Sequence, residues 1–239
     1  KHEGYFMKKS DNQMQEWDSA YQNKDNFVFY PHEEIIRFVS KFIRKRTGRN
    51  EFINVHNAED IRVFDLGCGI GRHVIFCQDM KLDAYGLDLS GKAIEYARDW
   101  LSSQGVRDVN KKLQHGDARN LPWDNCFFDF ALSHGVLDSM PFEIAKEVIK
   151  DLHRAMKPGG LFYCDLISGD DSEHAREFSG EELVATAHEE GTIQSFFNME
   201  KINNLLGVFF EVEECQLIKH QNVLSGRYHA RYCLIARRV

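Results

Sequence analysis

Three glycines at alternate positions, Gly67, Gly69 and Gly71, follow the acid Asp65 in the run Val-Phe-Asp-Leu-Gly-Cys-Gly-Ile-Gly. A glycine has no Cβ, so a ligand can come against bare backbone NH groups, and a helix that starts there adds its positive end. A second acid, Asp88, stands 17 residues beyond Gly71, where a carboxylate can accept hydrogen bonds from both hydroxyls of a ribose. Gly116-Asp117-Ala118 makes a third polar turn, and Ser133-His134-Gly135-Val136-Leu137-Asp138 a fourth. Together these residues describe the mouth of a nucleotide pocket. Each alone also has a structural explanation. The glycines can simply join a strand to a helix, Asp88 can end a strand ahead of a Ser90 helix cap, Asp117 can sit in a solvated turn, and His134 can be a hydrogen-bonded structural group.

The elements that must position them follow from periodicity. Ile61 to Leu66 has the apolar, β-branched character of a buried strand, and Arg72 to Met80 reads as a helix. Ala84 to Leu87 is a short strand ending at Asp88, and Ala93, Ile94, Ala97, Trp100 and Leu101 recur at helical spacing after Ser90. Lys112 to His115 and Phe127 to Leu132 are further strands. Ile144, Ala145, Val148, Ile149 and Leu152 mark another amphipathic helix, closed by a turn at Lys157-Pro158-Gly159-Gly160 before a fifth strand, Leu161 to Asp165. Glu200 to Leu206 reads as a helix stopped by Gly207, and Phe209 to Ile218 and Tyr228 to Ala236 as strands able to pair antiparallel. The alternation predicts an α/β fold with a parallel sheet, right-handed crossovers and ligand-binding loops at the strand C-termini.

The glycine spacing departs from the Gly-x-Gly-x-x-Gly of dinucleotide-binding dehydrogenases, which disfavours that class. It resembles motif I of the class I S-adenosylmethionine-dependent methyltransferases, and Asp117-Ala118 matches the pair that lies beside the adenine in that family. The resemblance spans about Ile61 to Val239 and is specific through Asp165. It implies a Rossmann-like, seven-stranded, mostly parallel sheet with helices on both faces and an antiparallel edge pair, the last strand lying beside the fifth. It also implies S-adenosylmethionine as cofactor, with Asp65 near the methionine amine, the glycines against the methionine and ribose parts, and Asp88 on the ribose. The cofactor set it suggests is Tyr21, Asp65, Gly67, Gly69, Gly71, Arg72, Asp88, Leu89, Asp117, Ala118 and Ser133. The chain lacks an Asn-Pro-Pro-Tyr type of tetrapeptide, which argues against the amino groups of adenine or glutamine as acceptors.

Before this core, Trp17, Tyr21, Phe27, Phe29 and Tyr30 cluster, and Trp17-Asp18-Ser19-Ala20-Tyr21 resembles a Trp-Asp-x-x-Tyr run carried by the family's small-molecule enzymes. Residues 1–60, with a helix from Glu33 to Arg46, are therefore expected to cap the pocket of a domain at 61–239. The plainer alternative is an aromatic cluster that packs an added helix. Arg44, Lys45 and Arg46 read as a solvated helix end. The formal charge is −7, and Ser168 to Met199 holds eight acids against Arg176 alone. That segment is either a solvated insertion or a lid with Phe196 and Phe197 as its apolar contact. An acidic balance opposes binding along a phosphate backbone, so nucleic acid is disfavoured as a partner. No apolar stretch approaches the roughly 20 residues that span a membrane. The six cysteines form no Cys-x-x-Cys pair, and are read as reduced thiols of a cytoplasmic protein without a metal site.

The expected function is thus methyl transfer to a small-molecule acceptor. A protein or RNA methyltransferase, and a noncatalytic S-adenosylmethionine-binding partner subunit, are the alternatives. In-line attack on a sulfonium methyl group needs positioning and exclusion of water and no enzyme nucleophile. For a hydroxyl acceptor a general base helps, and His134 and His229 are the candidates. Residue types alone leave oxygen, nitrogen and carbon acceptors open.

Overall fold

The computed structural model describes residues 14–19, 21, 27–58, 60–170, 180–184 and 192–239. Residues 14–19 are helical. Helix α1 (Glu33–Phe38) runs into a π-helical turn (Val39–Ile43) and a small ribbon of β1 (Arg44–Arg46) and β2 (Phe52–Asn54). The main body alternates as expected. In order come β3 (Arg62–Leu66), α2 (Arg72–Asp79), β4 (Asp83–Asp88), α3 (Gly91–Ser103), α4 (Val109–Lys112), β5 (Leu113–His115), β6 (Phe128–Ser133), α5 (Phe142–Ala155) and β7 (Met156–Ile167). A second ribbon, β8 (Glu181–Leu183) with β9 (Ile193–Ser195), precedes α6 (Met199–Leu206), β10 (Phe210–Gln221) and β11 (Tyr228–Arg238).

Seven strands form one sheet in the order β10-β11-β7-β6-β3-β4-β5. Strands β3 to β7 are parallel, while β11 runs antiparallel to β7 and β10 antiparallel to β11. From β3 the chain first builds outward through β4 and β5, then returns to place β6 on the other side. That reversal between β3 and β6 is a switch point, where the flanking loops diverge and leave a crevice at the strand C-termini.

The strands look uniformly apolar because both faces are covered. Within β6, Phe128 and Ala131 enter the core under α5 and α6, while Phe130 and Leu132 pack toward α1, α2 and α3. Helix α3 buries Ala93, Ile94, Ala97 and Leu101, leaves Trp100 half-buried, and starts at Ser90, whose side chain accepts from the Ala93 NH.

Two boundaries differ from expectation. The helix predicted over Glu33–Arg46 stops at Ile43, since Arg44 is extended (φ −153°) and buried. Its guanidinium donates to Asn54 Oδ1 at 2.7 Å and to the carbonyls of Met80 and Lys81, just past the end of α2. Arg44 therefore caps α2 where a solvated end was expected. The Pro158-Gly159-Gly160 turn lies inside β7 as a bulge: Phe128 pairs with Met156 and Phe130 with Leu161, so the extra residues loop out without ending the strand. A Cβ on Gly160 would stand 2.6 Å from the Asp129 carbonyl oxygen.

Candidate active site

The loops after β3, β4, β5 and β6 converge on a cavity of about 390 Å³, roofed in part by Trp17 and Tyr21 and bounded on one side by Ile144 and Val148 of α5. Its floor is the glycine turn. Gly67, Gly69 and Gly71 all have positive φ (67°, 52° and 89°), and the Gly67 and Cys68 NH groups donate to the Leu87 carbonyl at 2.9 and 3.0 Å. The three glycines do different work. A Cβ on Gly67 would lie 2.4 Å from Val136 in the loop after β6, and one on Gly69 would lie 2.5 Å from the Tyr21 hydroxyl. One on Gly71 would press on Ala97 and Leu101 of α3 at 3.2 and 3.3 Å. Gly71 is thus the N-cap of α2 and a helix-packing residue, not among the residues of the cavity wall.

Asp88 ends β4 with its carboxylate fixed from behind, Oδ2 accepting from the Gly69 NH at 2.7 Å and Oδ1 from the Ser90 NH at 2.8 Å. Burial pushes its carboxyl up to about 6 despite these two donors. Asp18 ties the N-terminal segment down beside it. Asp18 Oδ1 accepts from Ser90 Oγ at 2.5 Å and from the Lys92 NH at 3.3 Å, at the positive end of α3. The anchored turn brings Tyr21 over Gly69, where burial, with Asp88 nearby, raises its hydroxyl well above the ordinary range. The Trp-Asp-x-x-Tyr run therefore closes the pocket, with Asp18 as its anchor.

Leu89, Asp117 and Ala118 also line the cavity. Asp117 is already engaged by Arg119, whose Nε lies 3.0 and 2.9 Å from its two oxygens; burial opposes ionisation, yet this partner holds the carboxyl below its usual value. Arg119 belongs to the wall as well, and its place two residues after Asp117 is the signal that sequence reading passed over. Arg72 lines the same space, and burial lowers its guanidinium.

Asp65 and Ser133 are not among the residues of the wall itself. They lie buried at the end of β3 and in the last position of β6. Asp65 Oδ1 is 3.6 Å from His73 Nδ1, while Asp65 Oδ2 and Ser133 Oγ have no described partner. A buried carboxylate oxygen without a donor is costly, so an ammonium or water is required to complete it. An orphaned acceptor beneath a glycine cradle, with a second carboxylate beside it, fits the amine and ribose of S-adenosylmethionine.

The other half of the cavity carries histidines. His134 lines it, and its Nδ1 is paired with Asp165 Oδ2 at the end of β7. Asp165 Oδ1 accepts from Arg231 Nη2 on β11 at 2.6 Å and from the Gly135 NH at 3.1 Å. Arg231 also donates to Asp138 Oδ2 at 2.6 Å. Burial opposes the ionised Asp165, but Arg231 and then His134 outweigh it and hold the carboxyl well below its usual range. His32 stacks on His134 with centroids 4.1 Å apart, and burial, then His134, lowers it to about 4. Sequence reading missed His32, His73 and Arg231, whose positions carry no local pattern. Asp165 was legible as a strand terminus, the same signal that marks Asp88.

His229 is exposed on β11 and stacks on His220 of β10 with centroids 5.1 Å apart, outside the cavity wall. It stands on the outer hairpin, away from the residues that line the cavity. Phe196 and Phe197 are fully buried, Phe197 in the core beside Phe142. Residues 171–179 and 185–191 of the acidic segment lie outside the described residues. All six cysteines are free. Among the described residues no helix is long and apolar enough to cross a membrane.

Comparison with known proteins agrees with this geometry. Residues 63–160 match the family model for a methyltransferase domain. Demethylmenaquinone methyltransferase of Geobacillus kaustophilus is 28% identical over 137 residues, covering 56% of this chain and 57% of that protein. Sterol 4-C-methyltransferase of Caenorhabditis elegans is 28% identical over 115 residues, 48% of this chain and 34% of that one. The chain thus spans little more than half of the first of these relatives and about a third of the second. In fold it resembles a SAM-dependent methyltransferase of Methanosarcina mazei, with a TM-score of 0.62 at 20% identity, covering 76% of this chain and 94% of that one. The matched methyltransferase domain, residues 63–160, carries the loops after β3, β4, β5 and β6 that build the cavity.

Proposed function

We propose that the protein catalyses methyl transfer from S-adenosylmethionine to a small-molecule acceptor. The observation that carries this reading is the Asp88 carboxylate, held by two backbone NH groups at the rim of a glycine cradle that side chains would fill. The cofactor supplies an electrophilic methyl group on a positively charged sulfur. Asp88 accepts from the ribose hydroxyls, Asp65 answers the ammonium, and Arg72 meets the carboxylate. Leu89 and Ala118 flank the adenine. Trp17 and Tyr21 keep water out, which strengthens each polar contact inside.

A small acceptor is supported by the partial roof and the modest cavity. The net charge of −7 argues against a nucleic-acid chain. The two relatives named above take a demethylmenaquinone and a sterol by their names, both small molecules. In this reading residues 1–60 are the cap segment and 61–239 the catalytic domain, with the acidic stretch near 168–199 an insertion in it.

Incubation with methyl-labelled S-adenosylmethionine and separate pools of small hydroxyl, amine and carbon acceptors, folded protein and RNA tests this. Label is expected in a small-molecule pool. Label confined to protein or RNA would overturn the small-molecule assignment.

A further inference from the structure

The His134–Asp165–Arg231 cluster goes beyond cofactor binding. Its residues come from the loop after β6 and from two neighbouring strands, and one of them faces the cavity. Asp165 Oδ2 is bonded to His134 Nδ1 and lies 3.3 Å from the Tyr163 hydroxyl, while Oδ1 faces Arg231 and the Gly135 NH. A carboxylate acceptor on Nδ1 selects the tautomer with that nitrogen protonated, which leaves Nε2 bare as an acceptor. No described partner occupies His134 Nε2. Arg231 is shared by Asp138 and Asp165, so with both acids ionised the cluster keeps one negative charge in excess.

His32, His134 and Asp165 also lie close enough to suggest a metal, their ligand atoms all within 4.8 Å of one another. Ring geometry opposes it. A metal sits in the plane of each imidazole that binds it, yet the His32 and His134 rings are stacked 4.1 Å apart at 29°, and Asp165 already faces a guanidinium.

We propose that His134 is the general base of the transfer, that Asp165 is the positioning residue that keeps its Nε2 bare, and that the acceptor atom is a hydroxyl oxygen. This rests on the methyltransferase reading of the same cavity. His134 Nε2 takes the hydroxyl proton while an oxygen electron pair forms the bond to the methyl carbon and the carbon–sulfur pair stays on sulfur. The imidazolium, stabilised by Asp165, then returns its proton to water. A neutral amine is already a good nucleophile and can lose its proton after transfer, whereas a neutral hydroxyl is a weak nucleophile and gains most from a base at the moment of bond formation. His32, kept neutral by burial, covers one face of the ring without competing charge.

Long-range proton–nitrogen correlation spectra of the full chain labelled at histidine nitrogen test the dyad without turnover. His134 is expected to show a protonated Nδ1 and a bare Nε2, with and without S-adenosylhomocysteine. Asp165→Asn should switch it to the opposite tautomer while S-adenosylhomocysteine affinity changes less than about twofold. A wild-type His134 already protonated at Nε2 overturns the proposal, so it stays falsifiable even if the variant fails to fold. Joint shifts of His32 and His134 on titrating Zn²⁺ alone, at equimolar metal, would replace the dyad with a metal site. Failure of S-adenosylhomocysteine to bind while the wild-type tautomer is as expected would overturn the methyltransferase reading and, with it, the base assignment, but not the dyad's geometry.

Discussion

The two halves of the cavity are built in opposite ways. On the cofactor side, contacts come from backbone: positive-φ glycines, and NH groups of Gly69 and Ser90 that fix one carboxylate, all within 24 residues of chain. Around His134, which lines the other half, they come from side chains far apart in sequence, with Asp165, Arg231 and His32 joined to it only by folding. Backbone cradles tolerate few substitutions, because a Cβ has nowhere to go. Side-chain clusters can be exchanged one residue at a time, so a common cofactor half can be combined with different acceptor halves.

If the halves are separable, Asp165→Asn should lower the methyl-transfer rate by about 10²–10⁴-fold with the cofactor affinity nearly unchanged, measured as single turnovers against binding isotherms. A parallel loss of cofactor binding would break the distinction.

The pH dependence of binding sharpens it further. Burial lifts Asp88 to about 6 in the free protein, and ribose hydroxyls donate to its ionised form, so its pKa falls on binding. Affinity for S-adenosylhomocysteine is therefore complete above about pH 6 and drops by up to about tenfold per unit below it, as titrations from pH 7.5 to 5 would record.

Arg44→Met tests a region that serves neither half. It leaves the Met80 and Lys81 carbonyls without a donor, and urea unfolding should show a loss of about 1–3 kcal/mol with cofactor affinity intact. The smallest effect belongs to His229→Ala on the outer hairpin, where both binding and transfer should stay within about twofold.

The same contrast explains what could be read before folding. The strand–helix alternation that carries Gly67, Gly69 and Asp88 was legible because local spacing places it, while the seven-stranded order with its antiparallel edge pair was implied by the family resemblance. The packing of Gly71 against α3 was not legible, because a glycine that opens space for a helix has the same letter as one that opens space for a ligand. Arg44 was misread because the carbonyls it caps lie 36 and 37 residues away, and neither helical periodicity nor charge reveals them. His134 follows the C-terminal end of β6, where such sheets bind ligands, whereas His229 stands near the start of β11 and was the weaker candidate already. The sheet order, which puts β11 beyond β7 with His229 stacked on His220, widens that difference.

Calorimetric titration with S-adenosylhomocysteine, with NAD as competitor and Asp88→Ala as control, tests the central claim most directly. Losing two charge-assisted hydrogen bonds, each about 1.5–3 kcal/mol, should weaken the variant by about 100-fold or more while NAD displaces nothing. Binding that survives the substitution, or that NAD displaces, would contradict the account of this cavity as an S-adenosylmethionine site.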